Sequence, residues 1–501
     1  MDTLWPAVVT TNSAPASVVM PCAQKFPGPT VVRYPQHDSN CGEDNREMSQ
    51  HMGPDSDRSG SEEPDSERSD SEWPGSGGPG SFPEVKAARD PASPYPRVAP
   101  YVFMILAALA VRLAAVAFLY PEQLDPFRDH WRFAYETGRV ARSLAQGQGF
   151  SSPLYEPTGP TAWLTPLFPA LLAAVFKLFG IYSKTSALVM LSLDCAISAL
   201  TCVPVFFIAR HSFGQRAALW AGWLWAFFPY GIYFPAERIW ETWLATLLLC
   251  LIFLLALKLE NSASLAPWAA YGLLWALAAL NSPVALSVLP LLSGWICCRL
   301  RRQARPWLRP AAVSALVLVA AVSPWFVRNY RTFHEFVPFR DTLGLELYVG
   351  NNGDTSHWHP DAAGPWHNDA EYAEYKQLGE LAYMTRKKNQ AVEFIAHHPG
   401  IFIWLSLRRA AYLWTGFWSL DRNYLRQEPL DLANIPFLTT FTVLALLGLR
   451  RAFRTDAPAA APYAIVLLFF PAIYYVTHPE AYYLRPLDPF VVILAASLVK
   501  P

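Results

Sequence analysis

Long blocks of apolar sequence constrain this chain more than any other feature. Pro100–Leu119, Thr185–Ala209, Trp243–Leu257 and Ala459–Val476 are apolar all round rather than along one stripe. About 20 such residues cross the ~30 Å hydrocarbon core as a helix. Lipid leaves no partner for a free backbone group, so the expected fold is an all-α polytopic membrane protein. Composition agrees, since 52% of the 501 residues are hydrophobic and only 16% charged, against roughly a quarter in soluble domains. A net charge of zero gives no electrostatic footprint for nucleic acid.

The hydropathy pattern yields about ten spans, roughly 100–119, 185–209, 218–236, 242–258, 267–281, 283–298, 309–327, 434–449, 459–477 and 487–499. With a cytoplasmic N-terminus, one side collects Lys86, Arg89, Arg97, Arg210, Arg216 and Lys258. The same side collects Arg299, Arg301, Arg302, Arg305, Arg309, Arg450, Arg451, Arg454 and Lys500. The positive-inside bias therefore predicts both termini cytoplasmic, in a bacterial-type plasma (inner) membrane. Leu164–Phe179 and Pro399–Trp418 also read as apolar, but Pro166 and Pro169 interrupt the first and Arg408 and Arg409 the second. Counting either alone as a span would move a downstream arginine cluster outside, so both are expected to be interfacial helices. Two long outer loops follow, about 120–184 and 328–433, where residues held by a rigid scaffold can carry chemistry.

Residues 1–98 form a separate region: Cys41–Pro83 is rich in Ser, Gly, Pro, Asp and Glu, the composition of a disordered tail. No apolar stretch near its start reads as a signal peptide. Residues 99–500 are the membrane domain. Cys195, Cys202 and Cys250 fall inside apolar blocks, Cys297 and Cys298 at the edge of one, and Cys22 and Cys41 in the tail. That distribution indicates no disulfide framework.

In the first outer loop, Asp129, Arg132, Glu136, Arg139 and Ser143 recur at spacings of three and four, so one helical face carries them all. Taken alone, such a face reads equally as solvated ion pairs or as a site. The run ARSLAQGQGF, then TGPTAWLTPLFPALLAAVFKLFG and RHSFGQRAALWAG, resembles the membrane glycosyltransferases of the GT-C class. The pieces PAERIWETWLATLLL, PWFVRNY, ELYVGNN and HPEAYYLRPLDP follow in family order over about 100–499. More narrowly, the chain is similar to the dolichyl-phosphate-mannose protein mannosyltransferase and aminoarabinose lipid A transferase superfamily.

That resemblance implies inverting transfer of a sugar from a polyprenyl-phosphate donor to a protein, lipid or glycan acceptor at the outer face. It places the catalytic acid side chain in the first outer loop, where Glu136 is preferred for lying in the matching YETGRVARS run and Asp129 is the alternative. Glu241 matches a further acidic position of the family. The chemistry asks for the same residue types: one carboxylate base suffices when the leaving group is a phosphate, and the departing phosphate wants arginine. Arg132, Arg139, Arg238, Arg328 and Arg485 are the candidates, and Asn351 and Asn352 are candidate substrate contacts. Many relatives carry a lysine before the Pro-rich turn, where this chain has Leu164-Thr165-Pro166, which removes one expected phosphate ligand. No cofactor is implied. His357, His359, Asp361, His367 and Asp369 crowd one loop, but such residues gather readily in polar loops and no metal is indicated.

Two charges lie inside spans, Arg112 and Asp194, both roughly 10–14 Å below the outer surface, and are expected to pair. Three rival classes stay open: a secondary transporter, a polysaccharide polymerase or ligase with a pyrophosphate-linked donor, and a non-catalytic membrane protein. A transporter would be expected to show internal repeats and ionisable residues near the midplane, whereas here no repeat is visible and polar residues concentrate in the outer loops.

Overall fold

A computed structural model describes residues 100–123, 133–155, 157–353, 363–366, 368–418, 425, 431–480 and 482–499. The tail 1–98, Asp129, Arg132, His357, His359, Asp361 and His367 therefore lie outside the described residues. The first half of the bundle comprises α1 (Pro100–Gln123), α2 (Glu136–Ala145), α3 (Leu167–Phe179), α4 (Lys184–Leu200), α5 (Cys202–Phe213), α6 (Gln215–Ala226), α7 (Pro229–Glu237), α8 (Thr242–Leu259), α9 (Leu265–Asn281) and α10 (Leu289–Arg302). The second comprises α11 (Leu308–Phe333), α12 (Leu343–Gly350), α13 (Asp369–Leu378), α14 (Glu380–His397), α15 (Pro399–Thr415), α16 (Asp431–Thr455), α17 (Ala457–Phe469), α18 (Ala472–Val476) and α19 (Asp488–Ala496). Among the described residues no strand forms beyond one antiparallel bridge, Ser151–Pro160.

Among the described residues, six helical stretches are long and apolar enough to cross a bilayer: Pro100–Leu119, Lys184–Phe213, Thr242–Leu259, Leu308–Phe333, Asp431–Thr455 and Ala457–Val476, with mean hydropathy between 1.8 and 2.6. The other four expected spans are present as shorter or interrupted helices. The 218–236 segment breaks between α6 and α7 because Phe228 precedes Pro229 and adopts an extended conformation. α9 has 17 residues, α10 has 14 and α19 has 9. Both apolar segments assigned to the interface are helical, as α3 and α15.

The expected Arg112–Asp194 pair does not form. Arg112 donates instead to Ser198 Oγ at 3.0 Å, one turn deeper than Asp194, and to the carbonyls of Ala226 at 2.8 Å, Trp225 at 3.1 Å and Ala108 at 3.1 Å. The reason lies in the helix break. Pro229 has no N–H for the Trp225 carbonyl four residues back, which keeps only the Phe228 N–H at 3.2 Å, and in lipid the carbonyls at such a break call for a further donor. Arg112 is that donor. Gly231 makes room for it, since a Cβ there would press on Arg112 Nη2 at 2.9 Å. Asp194 Oδ2 accepts from the Trp240 backbone N–H at 3.3 Å.

Arg409, midway along α15, is buried for a similar purpose. Its guanidinium bonds the Gly350 carbonyl, Asn351 Oδ1 at 3.3 Å and the Tyr475 carbonyl at 3.3 Å, tying α15 to the ends of α12 and α18. The apolar core runs through α1, α4–α6, α8–α10 and α16–α19, with Trp225, Trp243, Trp268 and Trp275 fully buried. A second, smaller core belongs to the long connections: Leu154, Trp163, Leu345, Val349, Tyr375, Tyr383 and Met384.

The bundle has two chemically distinct ends. At the C-terminus of α8, Glu260 takes Arg299 at 2.9 Å and His211 at 3.8 Å. At its N-terminus, the Asn281 side chain donates to the Glu241 carbonyl at 3.1 Å, and α2 and α12 gather around.

Candidate active site

The site is built where α2 begins. Ala134 and Tyr135 carry positive φ of 57° and 43°, a conformation that non-glycine residues avoid. This turn sets Glu136 as the first residue of α2, partly buried. Backbone strain of this kind persists where surrounding structure enforces it, commonly at functional sites. Tyr135 packs edge-on against Trp240, and Trp240 against Tyr482, so the α2 start is wedged against the α7–α8 connection and the 478–487 segment.

Glu136, Glu241 and Glu346 converge electrostatically on Arg340. Arg340 Nη2 lies 3.0 Å from Glu346 Oε1, and His478 Nδ1 lies 3.1 Å from Glu346 Oε2. Tyr483 reaches His478 Nε2 at 3.4 Å and stacks on Tyr474 at 4.6 Å. The Arg340 and Glu346 side chains remain 29% and 24% exposed, enough to be reached by a ligand.

Burial raises the pKa of Glu136 from its ordinary value; Arg139 and Arg340 pull it down, while Glu346 pushes it further up. Burial likewise raises Glu241 to about 7, against the pull of Arg340. Arg340 loses some basicity to burial, but Glu346, Tyr483 and Glu241 more than restore it, so it stays a fixed cation. Two carboxylates with raised pKa beside a permanent cation form a pattern suited to proton transfer next to an anion.

Of the residues read from sequence, the structure brings Glu136, Arg139, Glu241 and Arg238 into this region. Arg139 sits under Glu136 with its guanidinium 4.2 Å from the Tyr155 ring centroid. Arg238 pairs with Glu237 at 3.2 Å and lies 4.9 Å over Tyr482. Arg328 donates to the carbonyls of Thr161 at 2.6 Å and Phe150 at 2.7 Å, fastening the first long loop to α11. Arg485 is buried against Asp488 at 3.2 Å and lies over Tyr230 at 4.2 Å. Asn351 and Asn352 are buried at the end of α12, where their amides bond the Leu347, Val476 and Tyr348 carbonyls at 2.8 to 2.9 Å. Sequence reading missed Arg340, Glu346 and His478. Their one signal was position, since Glu346 and His478 open the quoted motifs ELYVGNN and HPEAYYLRPLDP and Arg340 lies shortly before the first.

No known family model matches the sequence, and no curated protein matches it. Solved structures do. The oligosaccharyltransferase of Archaeoglobus fulgidus aligns with a TM-score of 0.48 at 15% identity, over 79% of this chain and 50% of that one. The oligosaccharyltransferase AglB, also from Archaeoglobus fulgidus and in complex with an inhibitory peptide and a dolichol-phosphate, aligns at 0.46 and 12% identity, again over 79% and 50%. ArnT from Cupriavidus metallidurans, bound to undecaprenyl phosphate, aligns at 0.37 and 16% identity, over 79% of this chain and 76% of that one. The chain thus spans about half the length of AglB. Its apolar helices define an all-α, multi-pass membrane protein.

Proposed function

We propose that the chain is an inverting glycosyltransferase that moves a sugar from a polyprenyl-phosphate carrier to a protein, lipid or glycan acceptor. The observation that carries this reading is the gathering of Glu136, Glu241 and Glu346 around Arg340 at one end of an apolar bundle. AglB and ArnT were solved with lipid phosphates of the carrier class proposed here.

In the reaction, Glu136 accepts the proton of an acceptor hydroxyl as its oxygen bonds the anomeric carbon. The bond from that carbon to the phosphate oxygen breaks, and its electron pair leaves on the lipid phosphate. A single displacement inverts the anomeric centre. Arg340, helped by Arg238 and Arg139, meets the extra negative charge. Glu241, neutral or charged near pH 7, tunes the base. Asp129 is the alternative base. The membrane holds the carrier, and the segregation of Arg299 and His211 at the far end supports a site facing away from the cytoplasm. A bacterial-type inner membrane is the proposed location.

Purified protein in nanodiscs, given polyprenyl-phosphate sugar and a hydroxyl acceptor, is expected to release polyprenyl phosphate. Glu136→Gln should slow this by roughly 10²–10⁴-fold with normal expression. Full activity in that variant, with loss in Asp129→Asn, would move the base to Asp129. Uptake of a solute into vesicles without any donor turnover would replace the enzyme by a transporter.

A further inference from the structure

A buried pair of acids lies next to the site, and the proposed reaction does not use it. Asp341 follows Arg340 directly, and Glu380 opens α14. Glu380 is 8% exposed and richly served: Oε1 accepts from the Ala162 N–H at 2.5 Å, while Oε2 accepts from Thr161 Oγ1 at 2.5 Å and Tyr375 Oη at 2.9 Å. Asp341 abuts it, yet both buried Asp341 carboxyl oxygens find no donor. The Asp341 backbone N–H bonds the Ala162 carbonyl at 3.2 Å.

Two touching carboxylates in a dry setting cannot both be ionised. The three donors fix the negative charge on Glu380, so the proton belongs on Asp341, whose O–H then has Glu380 as its acceptor. Burial and the Glu380 charge both push Asp341 upward, well above the usual carboxylate range. The charged and titratable groups facing the pair are Arg340 from its own segment, Arg328 from α11, and Tyr375 from α13.

We propose that Asp341 and Glu380 hold one proton between them, and that this pair is a positioning element clamping Thr161 and Ala162 of the first long loop against the segment that carries Arg340. Arg328 grips the same loop segment from the other side through Phe150 and Thr161. The pair touches no substrate; it acts through the placement of Arg340. That positioning role rests on the transferase reading, whereas the shared proton does not.

The sign of the pH effect follows from the direction of the shift. A carboxyl whose folded pKa lies above its unfolded value of about 3.9 contributes stability below that value and loses it as pH rises through the folded one. Asp341→Asn keeps a donor toward Glu380 and cannot titrate. In thermal melts of the full chain in nanodiscs without substrate, Asp341→Asn should match wild type at about pH 4 and exceed it by a few degrees at about pH 8. Asp341→Leu, which has no donor, should melt below Asp341→Asn throughout. The alkaline fall in transfer rate should also move to higher pH in Asp341→Asn, a shift that a merely structural residue would not produce.

Parallel pH–melting curves for wild type and Asp341→Asn would overturn the shared proton, as would Leu and Asn variants of equal stability. An unmoved alkaline limb, with the melting result as expected, would overturn the positioning role. If no variant transfers sugar while the melting difference persists, the transferase reading fails and the shared proton stands.

Discussion

Arg340 is the residue on which the proposed chemistry turns, because its charge bears on both Glu136 and Glu241 from another element. Its planar donor fork suits a phosphate in a way that a lysine ammonium does not. Arg340→Lys should therefore keep the charge but lower kcat/KM for donor by roughly 10-fold or more, and Arg340→Gln by roughly 10²–10³-fold. Steady-state release of polyprenyl phosphate measures both. Glu136 must be ionised to act as base, and burial raises its pKa. The acid limb of the rate profile should thus lie above the roughly 4.3 of an ordinary glutamate. Glu241, raised to about 7, contributes stability at low pH and loses it as pH rises through about 7. Glu241→Gln should flatten that part of the melting profile.

At the scale of elements, helix breaks dictate where polar side chains go. Pro229 opens the α6–α7 junction and Arg112 closes it electrostatically from α1. Arg112→Leu would remove the guanidinium donor from the Ala226 carbonyl and leave the Trp225 carbonyl with the Phe228 N–H alone, at a cost of about 1–3 kcal/mol. Urea or thermal unfolding should show that loss, and a compensating Asp194→Arg should not restore it, because Asp194 faces Trp240 rather than the break. Recovery in the charge swap, Arg112→Asp with Asp194→Arg, would revive a direct Arg112–Asp194 pairing. Arg409 performs the same service in α15, which explains an arginine inside an otherwise apolar helix.

For the whole molecule, the two ends differ in charge and in chemistry. Arg299, Arg301 and Arg302 close α10 near Glu260, while Glu136, Glu241 and Arg340 gather at the other end of α8. In a cysteine-free background, an impermeant maleimide applied to sealed right-side-out vesicles should label Asn389→Cys and spare Arg302→Cys, both exposed positions. The reverse pattern would put the site on the cytoplasmic side.

The sequence alone determined that this is a helical membrane protein, because apolar blocks of span length leave the backbone no other way to satisfy itself. It also indicated which end of the bundle collects arginines, and the family resemblance pointed to Glu136 and Glu241 as site candidates, with Asp129 the alternative to Glu136. Those facts are local, written in the length, charge and order of short segments. Tertiary structure decided the rest, because the remaining groups are distant in sequence. His478 meets the Arg340–Glu346 pair only when two segments far apart in sequence close together. Arg112, Arg328 and Arg409 turn out to serve orphaned or buried carbonyls, a demand created by where helices break and pack. A charge in a sequence announces that it needs a partner, and only the fold selects which one.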